Sequence, residues 1–165
     1  IALIHEHQAY LGVIYSPVKK CVYYAVKGCG AFYQQENAAP RMIHVSEKRR
    51  PRIILAGTRA KFTAEMEGFI KNLSQTQHGY EMIKMGSSLK SCLIAQGVAD
   101  IYARLGPTSE WDTAAAQCIV EEAGGLITDT RMQPLRYNTK VSLLNPYFFV
   151  FGDKSVDWSS YLLKE

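Results

Sequence analysis

Residues 80–104 read YEMIKMGSSLKSCLIAQGVADIYAR, and the order of patterns within them decides the fold. Tyr80–Met85 is short, largely apolar and aromatic, as a buried strand is. Gly86-Ser87-Ser88 is a turn of small residues. Leu89, Cys92, Leu93 and Gln96 then recur at helical spacing until Gly97 stops the run, and Asp100–Arg104 is strand-like again. Strand, helix and strand in so short a span is the alternation of an α/β fold.

The alternation extends both ways. Ile53–Ala56 is a short buried strand closed by Gly57, and Phe62, Met66, Phe69, Ile70 and Leu73 mark an amphipathic helix. Downstream, Trp111-Asp112-Thr113 opens a helix through Ala115, Ile119 and Ala123 that ends at Gly124-Gly125. Leu126–Thr128 and Tyr147–Phe151 read as strands, and Val156–Leu163 as a terminal helix. Before residue 35 the rhythm differs. Ile1–His5, Ala9–Tyr15, Cys21–Val26 and Ala31–Gln34 are Val-, Ile- and Tyr-rich runs between tight turns, the pattern of an antiparallel meander. Residues 35–51 are polar, contain Pro40 and Pro51, and read as a connecting loop. The expected fold class is α/β, an α+β layered sandwich. It comprises the end of an antiparallel sheet over 1–40, a linker over 41–52 and an α/β unit over 53–165.

Composition narrows the functions open to such a chain. Its 165 residues are 47% hydrophobic and 21% charged, enough to bury a core without disulfides and too apolar for disorder. No apolar run approaches the roughly 20 residues that span a bilayer. The net charge of +4 is uneven, since residues 1–61 carry ten Lys/Arg and three acids while 62–165 carry nine and twelve. The densest basic run, Glu47–Arg52, lacks interleaved aromatics and reads as a solvated loop, not a nucleic-acid surface. Cys21, Cys29, Cys92 and Cys118 form no C-x-x-C and lie in or beside apolar segments, as small hydrophobes of a reducing compartment do. His5-Glu6-His7 falls at a turn and reads as surface, so a cysteine or histidine metal site is not expected.

Chemistry concentrates in the second half. Ser87 and Asp112 each stand at a helix N-terminus, where unpaired N–H groups and the helix dipole favour an anion or a carboxylate. Lys90 follows Ser87 by three residues and shares its face, Arg104 ends the next strand, and Arg59 follows the strand closed by Gly57. Strand ends and the loops after them are where open α/β sheets place ligands. Each group alone has a surface or capping explanation. Together, three cations and a serine point to a phosphorylated ligand.

These residues also carry a resemblance. Trp111-Asp112-Thr113-Ala114-Ala115 with Glu122-Ala123-Gly124-Gly125 resembles the signature of the inositol-monophosphatase-like, lithium-sensitive phosphatases. Gly86-Ser87-Ser88-Leu89-Lys90, Ala99–Thr108 and Gly12-Val13-Ile14-Tyr15-Ser16-Pro17 resemble the CysQ-type branch, the 3′(2′),5′-bisphosphate nucleotidases, so the similarity covers nearly the whole chain. The resemblance implies Mg²⁺-dependent removal of the 3′-phosphate from 3′-phosphoadenosine 5′-phosphate. Asp112 would be a metal ligand and catalytic residue, while Gly86, Ser87, Lys90, Arg104 and Arg59 would contact the substrate. Members of the family also carry, upstream of the strand with which this chain begins, a Glu-Glu pair and an Asp-Pro-Ile/Leu-Asp-Gly-Thr motif, and neither of these is present here. The expectation is therefore a fragment that is inactive alone, with the missing N-terminal half supplying the acidic metal site and partner strands for residues 1–34.

Expected partners are a nucleotide bisphosphate, that upstream half and, left open, a second copy; nucleic acid and stable membrane insertion are not expected. The expected location is the cytoplasm, with peripheral membrane contact left open. The alternatives are an inositol or sugar phosphate phosphatase of the same superfamily, or a non-catalytic nucleotide-binding module.

Overall fold

A computed structural model of the protein describes residues 1–47, 50–58, 62–76 and 79–162. Five strands form an antiparallel meander in chain order: β1 (Ala2–His5), β2 (Gln8–Ser16), β3 (Cys21–Val26), β4 (Ala31–Gln35) and β5 (Arg41–Ile43). Tight turns set the register, and at the first of them Glu6 and His7 both take positive φ, 47° and 63°. The central strand β3 alternates regularly, with Cys21, Tyr23 and Ala25 buried and the residues between them half-buried. That period of two marks a sheet with one covered face.

The covered face is built for close approach. Gly12 on β2 pairs with Ala25 on β3, and both face the helix α3 (Glu110–Glu122). A Cβ at Gly12 would lie 2.2 Å from the carbonyl oxygen of Ala115, so only glycine admits the helix at this distance. The Ala114-Ala115-Ala116 run of α3 supplies matching small side chains, and the Cys118 thiol points at the Ala25 carbonyl from 3.6 Å. On the opposite face Val13, Tyr24, Phe32 and Met42 stand in register across four strands, with Tyr24 and Phe32 stacked at 5.4 Å. Met42 at the end of that row is 51% exposed.

A second sheet has the order β7-β6-β8-β10-β9, formed by β6 (Ile53–Gly57), β7 (Tyr80–Lys84), β8 (Ile101–Arg104), β9 (Leu126–Asp129) and β10 (Phe148–Phe151). Strand β6 pairs parallel with β7 and with β8, whereas β10 inserts antiparallel between β8 and β9. Its two faces are both buried. Ala56, Tyr102, Ile127, Phe148 and Val150 join the core shared with α2 (Leu89–Ala95), α3 and the first sheet. Ile53, Leu55, Ile101, Phe149 and Phe151 pack on the other side with Met66, Phe69 and Leu73 of α1 (Ala64–Ser74). The layers thus run sheet, helices α2 and α3, sheet, helix α1, which is the layered α/β sandwich the sequence implies.

Two expectations change. The polar stretch 35–51 contains β5, which pairs with β4 through Ala31↔Ile43 to Tyr33↔Arg41. A three-residue edge strand buries only Ile43, so it leaves no alternation to read. The terminal helix over 156–163 is instead a single 3₁₀ turn, Trp158–Tyr161; residue 163 lies outside the described residues. Asp157 and the two serines compete with helix formation: Asp157 accepts the Ser159 N–H at 3.1 Å, and the Ser160 hydroxyl donates to the Asp157 carbonyl at 2.8 Å. Trp158 still closes the core by stacking on Phe151.

The two sheets and their helices are tied at the far end of α3. Glu122 accepts the N–H groups of Gly28 and Gly30, at 2.9 and 2.8 Å, pinning the β3–β4 turn. Hydrogen bonds to a charged acceptor are among the stronger kind. Glu122→Ala is expected to cost about 1.5 kcal/mol in denaturant unfolding, while Glu122→Gln, which keeps one acceptor, costs less. No helix among the described residues is long and apolar enough to cross a membrane.

Candidate active site

Helix α1 carries the chain from β6 to β7 across one face of the second sheet, and α2 carries it from β7 to β8 across the other. The connections therefore diverge at the carboxyl end of β6, where such sheets leave a crevice for ligands. A cleft of about 390 Å³ opens there, walled by Thr58 after β6, Gly86 and Ser87 after β7, and Arg104 at the end of β8. Lys90, Trp111 and Asp112 complete it. Gly86, Ser87, Lys90, Arg104 and Asp112, five of the six site residues expected from sequence, thus share one cavity. The sixth, Arg59, lies outside the described residues.

Lys90 is 6% exposed, and no carboxylate among the described residues pairs with it. Its Nζ donates to the Ser87 carbonyl at 3.0 Å and sits 4.9 Å above the ring of Tyr102. Burial, and then the nearby Arg104 guanidinium, hold its pKa below the ordinary lysine value. Ser87 takes the left-handed region at φ 56°, which a non-glycine residue adopts at a cost of about 1 kcal/mol. Both the Lys90 backbone N–H and its Nζ bond the Ser87 carbonyl and fix that turn. A Cβ at Gly86 would meet nothing within 4 Å, so the backbone there lies open to the cleft. Helix α2 has only seven residues, and its Ser88 cap makes no side-chain hydrogen bond, so the charge here comes from side chains and not from a long helix dipole.

Arg104 faces the cleft from the strand position two residues beyond Tyr102, on the same sheet face. Its Nη2 donates to the Pro107 carbonyl at 3.0 Å, while its Nε is buried without any partner. A buried guanidinium N–H left unpaired costs free energy that an anionic ligand would recover. Asp112 stands in the first turn of α3, exposed to the cleft, and its Oδ2 accepts the Ser109 N–H at 3.0 Å in a capping box. Glu110, its neighbour, does not serve the cleft. It is 5% exposed and accepts from Lys140 Nζ at 3.1 Å and from the Asn138 N–H at 2.9 Å, binding α3 to the 138–145 segment.

Sequence reasoning missed Thr58, Tyr102, Thr108 and Trp111 as cleft residues. Tyr102 was within reach: a strand residue two positions before a site arginine lies on the same face. Burial pushes its phenol up to about 12, so it remains protonated and acts as an aromatic platform for Lys90. Trp111, 70% exposed beside Asp112, was legible only as part of a signature.

A divalent cation would find a single carboxylate in this cleft, Asp112, and no cluster of three His, Cys, Asp or Glu exists among the described residues. A hard oxygen donor suits Mg²⁺, but one such ligand does not hold it. The fit is that of one wall of a metal site.

The sequence pattern of the inositol monophosphatase family matches residues 1–151. Over 162 residues the chain is 36% identical to the 3′(2′),5′-bisphosphate nucleotidase CysQ of Haemophilus influenzae, which covers 97% of this chain and 58% of that protein. The same identity holds over 150 residues with the protein of that name from Escherichia coli K12, again covering 58% of it. Among solved structures, CysQ from Bacteroides thetaiotaomicron, a bacterial member of the inositol monophosphatase family, superposes with a TM-score of 0.82 at 36% identity. That match covers 93% of this chain and 61% of the other. An inositol monophosphatase from Zymomonas mobilis, at 23% identity and a TM-score of 0.77, shares the fold. The chain spans little more than half the length of the curated relatives it matches.

Proposed function

The chain belongs to the inositol monophosphatase family, and from that premise we propose that it carries the nucleotide-phosphate side of a Mg²⁺-dependent 3′(2′),5′-bisphosphate nucleotidase. The reaction is hydrolysis of the 3′-phosphate of 3′-phosphoadenosine 5′-phosphate to AMP and phosphate. The observation that carries this reading is a pair of cations in one cleft, Lys90 and Arg104, neither ion-paired among the described residues and one with a buried unpaired Nε. Two such cations without counter-ions suit a phosphate group, whose dianion matches them in charge. Relatives bearing the nucleotidase name, at 36% identity, support the same substrate class.

Each residue has a task in this reading. Arg104 brings its guanidinium charge to the phosphate while Nη2 stays tethered to Pro107. Lys90 supplies a point charge from above Tyr102, and the open backbone at Gly86 and Ser87 lets the phosphate approach closely. Asp112 presents its carboxylate as one metal ligand. Mg²⁺, when bound, polarises the phosphoryl group and activates a water. Because the remaining carboxylates are not among the described residues, the 165-residue chain is expected to bind the nucleotide without turning it over. The four free cysteines fit work in a reducing compartment such as the cytoplasm.

The test is titration calorimetry of this chain with 3′-phosphoadenosine 5′-phosphate, AMP and inositol 1-phosphate, each with Mg²⁺ and with chelator, beside a phosphate-release assay. The bisphosphate should bind tightest and release no phosphate. Equal or tighter binding of inositol phosphate would overturn the substrate class, and Mg²⁺-dependent turnover would overturn the incomplete site.

The pH dependence follows from Lys90. An anion needs the charged ammonium, and the depressed pKa means that this charge is lost, as pH rises, earlier than at the ordinary value of 10.5. Affinity for the bisphosphate is expected to fall as pH rises through that range, and Lys90→Arg should move the falling limb to higher pH. A limb that does not move in Lys90→Arg would show that another group titrates.

A further inference from the structure

We infer that Asn145 is a positioning residue of this cleft. Resting on the reading above, it acts through Thr108, Ser109 and the first turn of α3, on which the Asp112 carboxylate is mounted. Asn145 does not line the cavity. Its Nδ2 lies 2.7 Å from the Ser109 carbonyl, 3.1 Å from Thr113 Oγ1 and 3.2 Å from Thr108 Oγ1, and its backbone N–H donates to the Thr108 carbonyl at 2.8 Å. One side chain thus gathers the α3 N-cap, Ser109, with Thr108 before it and Thr113 in the helix after it.

The rest of the segment reinforces this point. Ser109 and Leu144 form an antiparallel bridge, and the Glu110 N–H donates to the Leu143 carbonyl at 2.8 Å. Lys140 and Asn138 hold the Glu110 carboxylate. Residues 138–145 therefore act as a strap across the first turn of α3, fastened at one end by Glu110 and at the other by Asn145.

The position of the fastening gives it consequence. Ser109 is the residue whose N–H the Asp112 carboxylate accepts, and its own carbonyl is held by Asn145. Rotation of Ser109 would release Asp112 from its capping box and turn it from the cleft. Thr108 and Thr113, which line the cavity, would be released together. Lys90 and Arg104 stand on other elements and would stay in place.

The experiment compares the 165-residue chain with Asn145→Ala and with Asn145→Asp, which keeps the volume but replaces the donor. Hydrogen exchange at the Ser109 and Glu110 amides should speed up at least tenfold in both variants, with the Tyr24 and Val150 amides of the two sheets unchanged. Iodide quenching of the exposed Trp111 should change as well, read against the buried Trp158. Exchange at Ser109 and Glu110 within twofold of the parent in either folded variant would overturn the inference. Loss of protection throughout the molecule in both variants would also overturn it, by making Asn145 a general stability residue. A second readout, bisphosphate affinity in chelator, should stay within twofold of the parent, because Lys90 and Arg104 carry it. If the parent binds no bisphosphate, the proposed substrate fails while the exchange data still decide the role of Asn145.

Discussion

Replacing Lys90 with methionine is expected to make the protein more stable and to abolish the proposed binding of bisphosphate nucleotides. An ammonium that is 6% exposed and has no carboxylate partner among the described residues carries a desolvation cost that its contacts offset only in part. Those contacts are the Ser87 carbonyl and the face of Tyr102. Methionine fills nearly the same volume, leaves the Ser87 carbonyl with the backbone N–H of residue 90, and suits the aromatic ring. The net gain should be about 1–2 kcal/mol, read as a raised denaturation midpoint. Arg104→Ala, which removes the donor of the unpaired Nε, should weaken bisphosphate binding about a hundredfold, the worth of a charge-assisted pair. If Lys90→Met lost stability along with binding, the lysine would be a structural group and the cleft would not be built for an anion.

Gly12→Ala should be the most damaging small substitution in the first sheet. The added methyl would stand 2.2 Å from the Ala115 carbonyl oxygen and 2.9 Å from its carbon, and both are helix backbone that cannot rotate away. Sheet and helix would have to separate, at about 3 kcal/mol or more. Gly28→Ala is the control. Its φ of 80° is strained for alanine, but no atom lies within 4 Å of the new methyl, so about 1 kcal/mol is expected. Guanidinium denaturation of the two variants side by side measures the difference. Equal losses would mean that the close approach of α3 to β2 does not set the cost.

The fold was readable where side chains alternate or recur. The hairpins of the first sheet show period two between turn residues, and α1 and α3 show an apolar stripe between caps. The short β5 escaped because one buried isoleucine is no pattern, and the last helix was overread because Val156, Trp158, Tyr161 and Leu162 mimic helical spacing. In the cleft, sequence order reveals Arg104 by its place at a strand end and Lys90 by its spacing of three from Ser87 in the first turn of a helix. Tyr102 was obscured by its ordinary role as a core aromatic. Asn145 lies in a stretch with no periodicity, more than thirty residues from Ser109 in the chain, and only the tertiary structure brings them together. Among the described residues the cleft offers a cation a single carboxylate, Asp112.

Strand β10 enters the second sheet between β8 and β9, both of which precede it in the chain. Synthesis therefore delivers the cations and the carboxylate of the cleft well before the strand that completes the sheet beneath them. Until residues 145–151 have left the ribosome, β8 and β9 have no common neighbour, and the α3 N-cap has no strap. A nascent chain paused after Gly125 would display Lys90, Arg104 and Asp112 on a half-made scaffold. The order of translation thus places the charged groups of the cleft ahead of the strand that secures them.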